Sequence, residues 1–435
     1  MSKSHLTERP TYVELRRRRV RNGRLMPAIV MQKKICLFGH FGSPNFGNEI
    51  TLLAILFHLR RLLPESKVIC ACTGPETLVK TRGIEAVPIG RKMLKGWKPR
   101  TPLTASLRRA LIALPIELWR LLDVLRTLRV VDMLIIPGTG LLTDACGLME
   151  WGPYNLFKWC LIARMCGCKV LFVSVGAGPV YSALGKYYVK AALSLANFRS
   201  YRDDASLKYL QRLGFEKNGD RVYPDLVFSL PDAMIPDHGT KQGKRHVVGI
   251  GLMAYAGKYS LEEPSNAIYR AYLENLVVFV KWLLARDYDI RLLIGDACDD
   301  QRVTREFKSL LRTQVAAYDD DRVVDEPAHS TEQLLSQIAK TDGVVATRFH
   351  NVLLALLLNK PVVAISFHHK CASLMEQMGL SEYCHDISHM NTDRLIQQFQ
   401  NMERNAETLK LAIRQKVEQA RKALDEQYNL IFKVL

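Results

Sequence analysis

The sequence predicts an α/β protein with two doubly wound, Rossmann-like domains that face a cleft, and three observations support this prediction. Short, continuous apolar runs alternate with segments of helical periodicity, which is typical of parallel strands covered by helices on both faces. The alternation occurs twice, before and after the polar, turn-rich residues 231–245. The chain has 435 residues, 48% of them hydrophobic, which suits two domains that each bury a core. We therefore expect a basic extension over residues 1–32, a first domain over 33–235 and a second over 246–435 that ends in helices.

The first domain opens with an apolar run at residues 35–38, which predicts a buried strand. A loop rich in Gly, Asn and Pro follows over 39–49, and residues 50–63 then repeat apolar side chains at helical spacing. Strand, glycine loop and helix in this order are typical of a doubly wound sheet. The other predicted elements of this domain are strands at 67–72, 131–136, 169–175 and 198–201 and a helix at 203–213.

The second domain repeats the alternation. Strands are predicted at 246–252, 289–294, 343–346 and 362–365, helices at 269–285, 304–313, 330–339 and 348–358, and a charged helical end over 392–434. In open parallel sheets ligands bind beyond the carboxyl ends of the strands. We therefore expect the functional residues in the loops that follow the strands.

The formal net charge of +18 is concentrated in two segments. Residues 1–34 hold ten lysines and arginines against two glutamates, and residues 91–130 hold ten against one glutamate and one aspartate. Localised basic patches attract polyanions. Since no zinc-finger spacing, aromatic RNA-binding motif or basic zipper is present, we expect no nucleic acid partner and favour an anionic membrane surface or a charged substrate.

Within the second basic segment, residues 105–128 repeat leucines at helical spacing with arginines largely between them. A basic amphipathic stretch can lie on an anionic bilayer. The alternative is an ordinary core-facing helix broken at Pro115. Arg16 to Arg19 are either a second lipid contact or part of a solvated tail.

Ten cysteines are present, mostly in apolar runs and without a CxxC pair, which is typical of buried, reduced thiols. The sequence shows no secretory signal and no apolar stretch long enough to span a bilayer. We expect a cytoplasmic protein, at most peripheral at the inner face of the cell membrane. No metal-ligand cluster is visible, and we expect neither a metal nor a cofactor.

Arg348-Phe349-His350 follows a predicted strand and opens a helix. A helix N-terminus favours anions, and an arginine there adds a bidentate donor for phosphate or carboxylate. His350 has the residue type that donates to phosphate or moves a proton near neutral pH. The alternative is a structural ion pair for Arg348 and a capping role for His350.

Two further cations follow strands of the same predicted sheets. Lys370 lies one strand after Arg348, and Arg202 lies where the strand 198–201 meets a helix that Asp203 can cap. Arg202, Arg348 and Lys370 would supply three cations to one cleft. That number suits a small ligand with a carboxylate and a phosphate, such as phosphoenolpyruvate, and equally a nucleotide diphosphate.

In their order and spacing, these motifs resemble the polysaccharide pyruvyl transferase family, whose members have a GT-B-like pair of α/β domains. The matching stretches are the glycine loop 39–49, Pro137-Gly-Thr-Gly140, Val175-Gly-Ala-Gly-Pro179, Tyr201-Arg-Asp203, Tyr223-Pro-Asp225, Thr347-Arg-Phe-His350 and residues 361–370. The resemblance implies that phosphoenolpyruvate is the donor and that Arg202, Arg348, Phe349, His350 and Lys370 bind it. Two positions depart from the family pattern: Phe46-Gly-Asn-Glu49 stands where Asn-x-Gly-Asp is usual, and Thr139 stands where a third glycine is common.

The resemblance also implies a reaction: two sugar hydroxyls add to the enol carbon of the donor, and phosphate leaves. An acid must protonate the methylene carbon and a base must take the hydroxyl protons. We expect His350 as acid or phosphate partner, Arg348 among the catalytic groups, and Glu49 as base, with Asp144 as a weaker candidate. The acceptor sugar is expected against the first-domain loops at Gly42, Asn45, Gly138, Gly140 and Asp144.

Two other functions stay open from the sequence. The first is a nucleotide-sugar glycosyltransferase, because the two-domain form is shared. The second is a non-catalytic, membrane-associated scaffold of polysaccharide assembly that uses the basic segments.

Overall fold

The computed structural model describes residues 32–90, 114–145, 152–236, 245–254, 266–314 and 320–434. Three parts of the chain lie outside these described residues: residues 1–31 of the basic extension, residues 91–113 of the second basic segment, and most of the expected domain boundary. No helix among the described residues is long and apolar enough to cross a membrane.

Two parallel sheets form the molecule. The first contains, in chain order, β1 (Lys34–Gly39), β2 (Lys67–Cys72), β3 (Glu85–Pro88), β4 (Met133–Pro137), β5 (Lys169–Val175), β6 (Phe198–Tyr201) and β7 (Arg221–Val222). The second contains β8 (Val247–Gly251), β9 (Asp289–Leu293), β10 (Val323–Val324), β11 (Gly343–Ala346), β12 (Val362–Ser366) and β13 (Cys384–Asp386). The spatial orders are β3-β2-β1-β4-β5-β6-β7 and β10-β9-β8-β11-β12-β13. This confirms the predicted fold class of two doubly wound α/β sheets.

Helices connect the strands. They span Phe46–Leu62, Pro75–Arg82, Leu114–Leu128, Pro153–Met165, Ala183–Ser194, Asp204–Arg212, Asn266–Leu284, Asp300–Gln314, Thr331–Ala339, Phe349–Leu357, His369–Gln377, Thr392–Arg404 and Ala406–Val434. The first helix begins inside the predicted glycine loop, because the Asn45 side chain accepts hydrogen bonds from the N–H groups of Gly47 and Asn48 and caps it there. Pro115 lies in the helix Leu114–Leu128, and residues 105–113, on which the predicted break at this proline also depends, lie outside the described residues.

The order of the strands reverses between β1 and β4 in the first sheet and between β8 and β11 in the second. Ligand crevices of open sheets form at such switch points. The glycine loop follows β1, Pro137-Gly-Thr-Gly140 ends β4, and Arg348 follows β11. The sequence motifs therefore lie at the switch points of both sheets.

The two sheets face each other through these loops. The N–H of Phe46 donates to the carbonyl of Gly295 (3.1 Å), and the N–H of Ala297 donates to the carbonyl of Pro44 (3.0 Å). These backbone bonds join the glycine loop after β1 to the loop after β9. The crevice between the domains is thus bounded by carboxyl-edge loops of both sheets.

The last helix, Ala406–Val434, returns to the first sheet. Gln427 on it donates to the Ser200 hydroxyl of β6 (2.6 Å), and Tyr428 stacks on His58 with the ring centroids 4.1 Å apart. Arg421 also donates to the Asp232 carboxylate (2.7 Å). The C-terminal helices predicted for the second domain therefore also brace the first.

Candidate active site

Arg202 is a buried cation at the carboxyl end of β6, with 5% of its surface exposed. Its Nη1 donates to Asp225 Oδ2 (3.3 Å), and its Nε lies 3.6 Å from Asp203 Oδ2. The guanidinium carbon stands 4.4 Å from the ring centroid of Phe349, a residue of the second domain. Burial opposes ionisation of Asp203, yet Arg202 and the hydrogen bonds from Ser206 hold the pKa of this carboxyl below its usual value.

The stacking of Arg202 on Phe349 joins the two halves of the molecule at the site. A guanidinium over an aromatic face is stabilised by the charge distribution of the ring. The Nη2 atom of Arg202 is buried and makes no hydrogen bond with the part of the chain that the structure describes. A buried donor of this kind is costly unless an anion or a water satisfies it.

His350 lies against the first turn of the helix Phe46–Leu62. A Cβ atom added to Gly47 would overlap the imidazole Nδ1, so this approach requires glycine at position 47. Burial, followed by the charges of Arg202, Lys370 and Arg348, lowers the pKa of His350 to about 3. The imidazole is therefore neutral at physiological pH in this state, whereas the sequence alone allowed a proton carrier near neutrality.

Lys370 lies in the first turn of the helix His369–Gln377, and its ammonium Nζ reaches the first-domain loop after β4. A Cβ atom added to Gly140 would lie 3.0 Å from this Nζ. The neighbouring His368 caps the helix by accepting a hydrogen bond from the Lys370 N–H. Burial and the Lys370 charge lower the pKa of His368 to about 2. Lys370, like His350, therefore belongs to the second domain and approaches a glycine of the first.

Arg348 is engaged by Asp300, a residue that the sequence analysis did not single out. Its Nε lies 3.0 Å from Asp300 Oδ2 and its Nη2 lies 2.5 Å from Oδ1, a bidentate pair. Burial acts to lower the pKa of Arg348, but the Asp300 carboxylate outweighs it and raises the pKa. The structural ion pair considered as an alternative for Arg348 is thus present, and it leaves Nη1 as the part of the guanidinium that Asp300 does not hold.

Asp300 itself is fully buried and accepts N–H donors from three residues, namely Gly295, Asp296 and Ala254. Because these N–H groups satisfy its oxygens, the carboxylate is fixed in position although it is buried. Asp300 orients Arg348 beside His350. The charge of Arg348 in turn contributes to the lowered pKa of His350.

Glu49 lies in the first turn of the same helix that His350 approaches. Its Oε1 accepts hydrogen bonds from the N–H groups of Gly42 (2.7 Å) and Ser43 (3.3 Å), which closes the glycine loop. Burial raises the pKa of this carboxyl. Gly42 has φ +68° and a Cβ atom there would overlap the Gly74 carbonyl oxygen, so the loop conformation needs glycine.

The remaining acceptor-side residues differ in their freedom to meet a ligand. The Asn45 side chain is committed as a helix cap. Asp144 Oδ1 accepts from the Tyr181 N–H (2.8 Å), and its Oδ2 accepts from the Ser182 N–H and hydroxyl. Burial acts to raise the pKa of Asp144, but these hydrogen bonds outweigh it and lower the pKa. Such an environment suits a structural carboxylate at the start of the helix Ala183–Ser194 and disfavours the base role.

Three glycines of the first domain therefore accommodate three basic side chains. Gly47 accommodates His350, Gly140 accommodates Lys370, and Gly176 accommodates Arg202, whose Nη2 would lie 2.8 Å from a Cβ at position 176. Gly138, with φ +31°, shapes the loop after β4, and a Cβ there would lie 3.0 Å from Thr51 Cγ2. Sequence reasoning missed Gly176 and Asp225 as site residues, although both lie in the motifs that carry the family resemblance.

No group of three or more His, Cys, Asp or Glu is arranged to hold a metal ion among the described residues. Fold and site together define a two-domain, GT-B-like protein with a basic crevice at the switch points of its sheets. The model of the polysaccharide pyruvyl transferase family matches residues 45–369. The chain belongs to this family, as the resemblance of its motifs predicted.

A curated relative is the amylovoran biosynthesis protein AmsJ of Erwinia amylovora, which is 29% identical over 279 residues. The matched stretch covers 62% of this chain and 66% of that protein, slightly less than two thirds of its length. Solved structures share the fold at low identity. A glycosyltransferase from Rickettsia africae superposes with a TM-score of 0.57 at 12% identity, covering 93% of this chain and 99% of its own. The UDP-GlcNAc 2-epimerase of Neisseria meningitidis superposes with a TM-score of 0.54 at 13% identity, covering 88% of this chain and 94% of its own.

Proposed function

We propose that this chain transfers pyruvate from phosphoenolpyruvate to two hydroxyls of one sugar in a surface polysaccharide or its lipid-linked precursor. The product is a cyclic ketal, and phosphate is released. One observation carries the proposal: Arg202, His350 and Lys370 converge from both domains, and each lies against a glycine of the first domain. Membership in the polysaccharide pyruvyl transferase family supports it.

The charges of the crevice suit this donor. Phosphoenolpyruvate carries a phosphate and a carboxylate, and three cations lie close enough to His350 to depress its pKa: Arg202, Lys370 and Arg348. The buried Nη2 of Arg202 is a ready donor for one of the anionic groups. Lys370 supplies a point charge for another, and the cations stabilise the departing phosphate.

His350 couples donor binding to proton uptake. In the free protein its pKa is about 3, because of burial and of the neighbouring cations. A bound trianion offsets those cations and raises the pKa, so the imidazole gains a proton when the donor arrives. The imidazolium then protonates the methylene carbon of the donor or the leaving phosphate.

The bond changes balance without another reactant. The methylene carbon gains one proton and becomes a methyl group, and one sugar hydroxyl adds to the enol carbon and loses its proton to a base. The bond between that carbon and the phosphate oxygen breaks, and the second hydroxyl adds in its place. Its proton leaves with the phosphate. Glu49 is the proposed base, since burial raises its pKa toward the range in which a carboxylate accepts protons well.

The test incubates the purified chain with phosphoenolpyruvate and lipid-linked oligosaccharides. We expect phosphate release only when an acceptor is present, with one ketal methyl signal in the NMR spectrum for each phosphate released. His350→Gln and Lys370→Met should each lower the rate by about 100-fold or more. Lys416→Met, at an exposed position of the last helix, is the matched control and should retain activity.

Two outcomes would replace the proposal. Turnover of a nucleotide sugar, with no phosphate from phosphoenolpyruvate and any acceptor, would identify a glycosyltransferase. Full function of both site variants in polysaccharide assembly, without turnover of either donor, would identify a scaffold.

A further inference from the structure

An apolar stripe lies exposed on the flank of the first domain. Four leucines of the helix Leu114–Leu128 share one side of it, because their positions repeat every three or four residues. They are Leu114, Leu118, Leu122 and Leu125, exposed by 66, 61, 40 and 42%. Val124 and Leu128 occupy another side of the helix and are buried in the core. The stripe is therefore additional to the face that holds the helix on the sheet.

Neighbouring helices extend this surface. Pro153–Met165 and Ala183–Ser194 pack on the same face of the first sheet, since their buried residues share one core cluster with Val124 and Leu128. They too expose large apolar side chains, namely Leu161, Met165, Leu184 and Tyr187. Isolated exposed apolar residues are common, whereas a set on adjacent helices indicates a partner.

The surface is bordered by positive charge. A pocket of about 400 Å³ opens at the amino ends of β1, β4 and β5, immediately after the helix Leu114–Leu128, and Lys33, Arg129 and Lys169 line it. The one acidic residue in its lining, Asp132, accepts a hydrogen bond from the Lys34 N–H. In sequence, seven further lysines and arginines precede the helix over residues 91–113.

The acidic residues of the helix are already paired. Glu117 accepts from Lys158 (2.8 Å) and Arg120 (3.2 Å), and Asp123 accepts from Arg126 (3.2 Å). The helix adds little net charge of its own, and the positive charge of this flank, next to the apolar stripe, comes from Lys33, Arg129 and Lys169. Together these are the two features with which a peripheral protein lies in the interface of an anionic bilayer.

We propose that the flank formed by the helix Leu114–Leu128 and the pocket of Lys33, Arg129 and Lys169 docks on an anionic lipid bilayer. The leucines enter the acyl boundary, and the cations contact headgroup phosphates. A second copy of the chain is the less suitable occupant, because a symmetric contact would bring the same positive charges together. Nucleic acid would use the cations but would leave the leucines in water.

This placement also positions the crevice. The helix returns from the carboxyl edge of the sheet to its amino edge, and the stripe from Leu114 to Leu125 extends for about 16 Å along the domain. A bilayer on this flank lies beside the first-domain side of the crevice, where the acceptor is expected. An acceptor carried on a membrane lipid could then reach the crevice without leaving the bilayer.

The test measures binding of the full chain to vesicles without donor or acceptor, so its result does not depend on the proposed pyruvyl transfer. We expect co-sedimentation with vesicles of 70% phosphatidylcholine and 30% phosphatidylglycerol to be at least about tenfold stronger than with phosphatidylcholine alone. Leu118→Ser with Leu122→Ser should weaken it about tenfold, and so should Arg129→Gln with Lys169→Gln. Both pairs lie at exposed positions, so the fold should persist in thermal unfolding.

The matched controls lie on the last helix. Leu411 is 62% exposed, and Lys416 is exposed on the same helix. Leu411→Ser and Lys416→Gln should leave vesicle binding unchanged. Equal binding to neutral and anionic vesicles, or undiminished binding of both double variants, would overturn the proposal. So would a dimer in light scattering that the leucine variant abolishes while vesicle binding is absent.

Discussion

The two domains form the crevice by opposite means. The first domain presents glycines that leave space for basic side chains, at positions 47, 140 and 176. The second presents basic side chains, His350, Lys370 and Arg348, from the ends of β11 and β12. A Cβ on the first side would remove room, whereas a truncation on the second would remove charge. The site depends on both domains, and neither holds a complete anion-binding constellation by itself.

Arg202 is the exception that connects the two sides. It belongs to β6 of the first domain, yet its guanidinium stacks on Phe349 of the second. Its ion-pair partners, Asp203 and Asp225, are buried as well. The charge of Arg202 is therefore both part of the ligand site and part of the core of the first domain.

Arg202→Met should produce the largest effect, because it changes stability as well as activity. Removing one partner of a buried ion pair leaves Asp225 and Asp203 without their cation, which costs about 3–5 kcal/mol of the free energy of unfolding. Chemical denaturation measures this loss. The control, Arg212→Met, lies at an exposed position on the following helix. An Arg202→Met chain with normal stability would show that the guanidinium serves the ligand alone.

Gly47→Ala tests whether the first domain contributes space. Alanine is ordinarily better than glycine in a helix, but the overlap with the buried His350 ring should cost about 1–3 kcal/mol of the free energy of unfolding. The added Cβ overlaps His350 Nδ1, and the displaced imidazole should lower kcat/KM by about 100-fold. Steady-state kinetics with phosphoenolpyruvate measure the change.

The matched control for this substitution is Gly83→Ala, which should lower stability without lowering the rate. Gly83 caps a helix with φ +63°, and a Cβ atom added there would meet nothing within 4 Å, so alanine at this position suffers only backbone strain. Stability should fall by about 1 kcal/mol with kcat/KM unchanged. If Gly47→Ala also retained its rate, the close approach of His350 would have no part in turnover.

The pH dependence of stability tests whether burial and the neighbouring cations keep His350 neutral. His350 has a pKa of about 3 when folded, lowered by burial and by the cations, against about 6.5 when unfolded. The unfolded chain thus binds more protons between these values, and stability is lost as pH falls from 6.5 toward 3. Between pH 7.5 and 5.5, the free energy of unfolding of His350→Gln should therefore fall by about 1 kcal/mol less than that of the wild type.

Chemical denaturation at the two pH values measures this difference, and His389→Gln, at an exposed position, is the control. A donor analogue should make the difference between wild type and His350→Gln smaller, because a bound trianion raises the pKa of His350. An unchanged pH dependence in His350→Gln would mean that the imidazole is not held neutral by its surroundings.

The sequence allowed the central strands to be located because they are buried on both faces and therefore continuous in apolar residues. The short strands β3, β7, β10 and β13 were missed, since two to four partly exposed residues carry no such pattern. Arg202, His350 and Lys370 were found because they follow strands. Their convergence, and the glycines that permit it, depend on the packing of one domain against the other.

Asp300 shows what local patterns cannot supply. It lies in the polar stretch Gly295-Asp-Ala-Cys-Asp-Asp300, which has the composition of a surface turn, yet it is fully buried. Its partner, Arg348, is 48 residues away. Only the neighbourhood of β8, β9 and β11 in the sheet brings the two together, so no spacing rule would have paired them.

The ion pair between Arg82 and Glu332 (3.0 Å) should have the smallest effect, although it spans the two domains. Burial opposes ionisation of Glu332, but the bond to Arg82 lowers the pKa of this carboxyl to about 2, so the attraction is lost only in strong acid. Both side chains are partly exposed, and such pairs contribute roughly 0.2–1 kcal/mol. A double-mutant cycle with Arg82→Gln and Glu332→Gln should give a coupling in that range that disappears in 1 M salt. The backbone bonds of Phe46 to Gly295 and of Ala297 to Pro44 do not depend on salt, and we expect them to hold the crevice in register. A coupling above about 2 kcal/mol that persists in salt would instead make charge the principal link between the two domains.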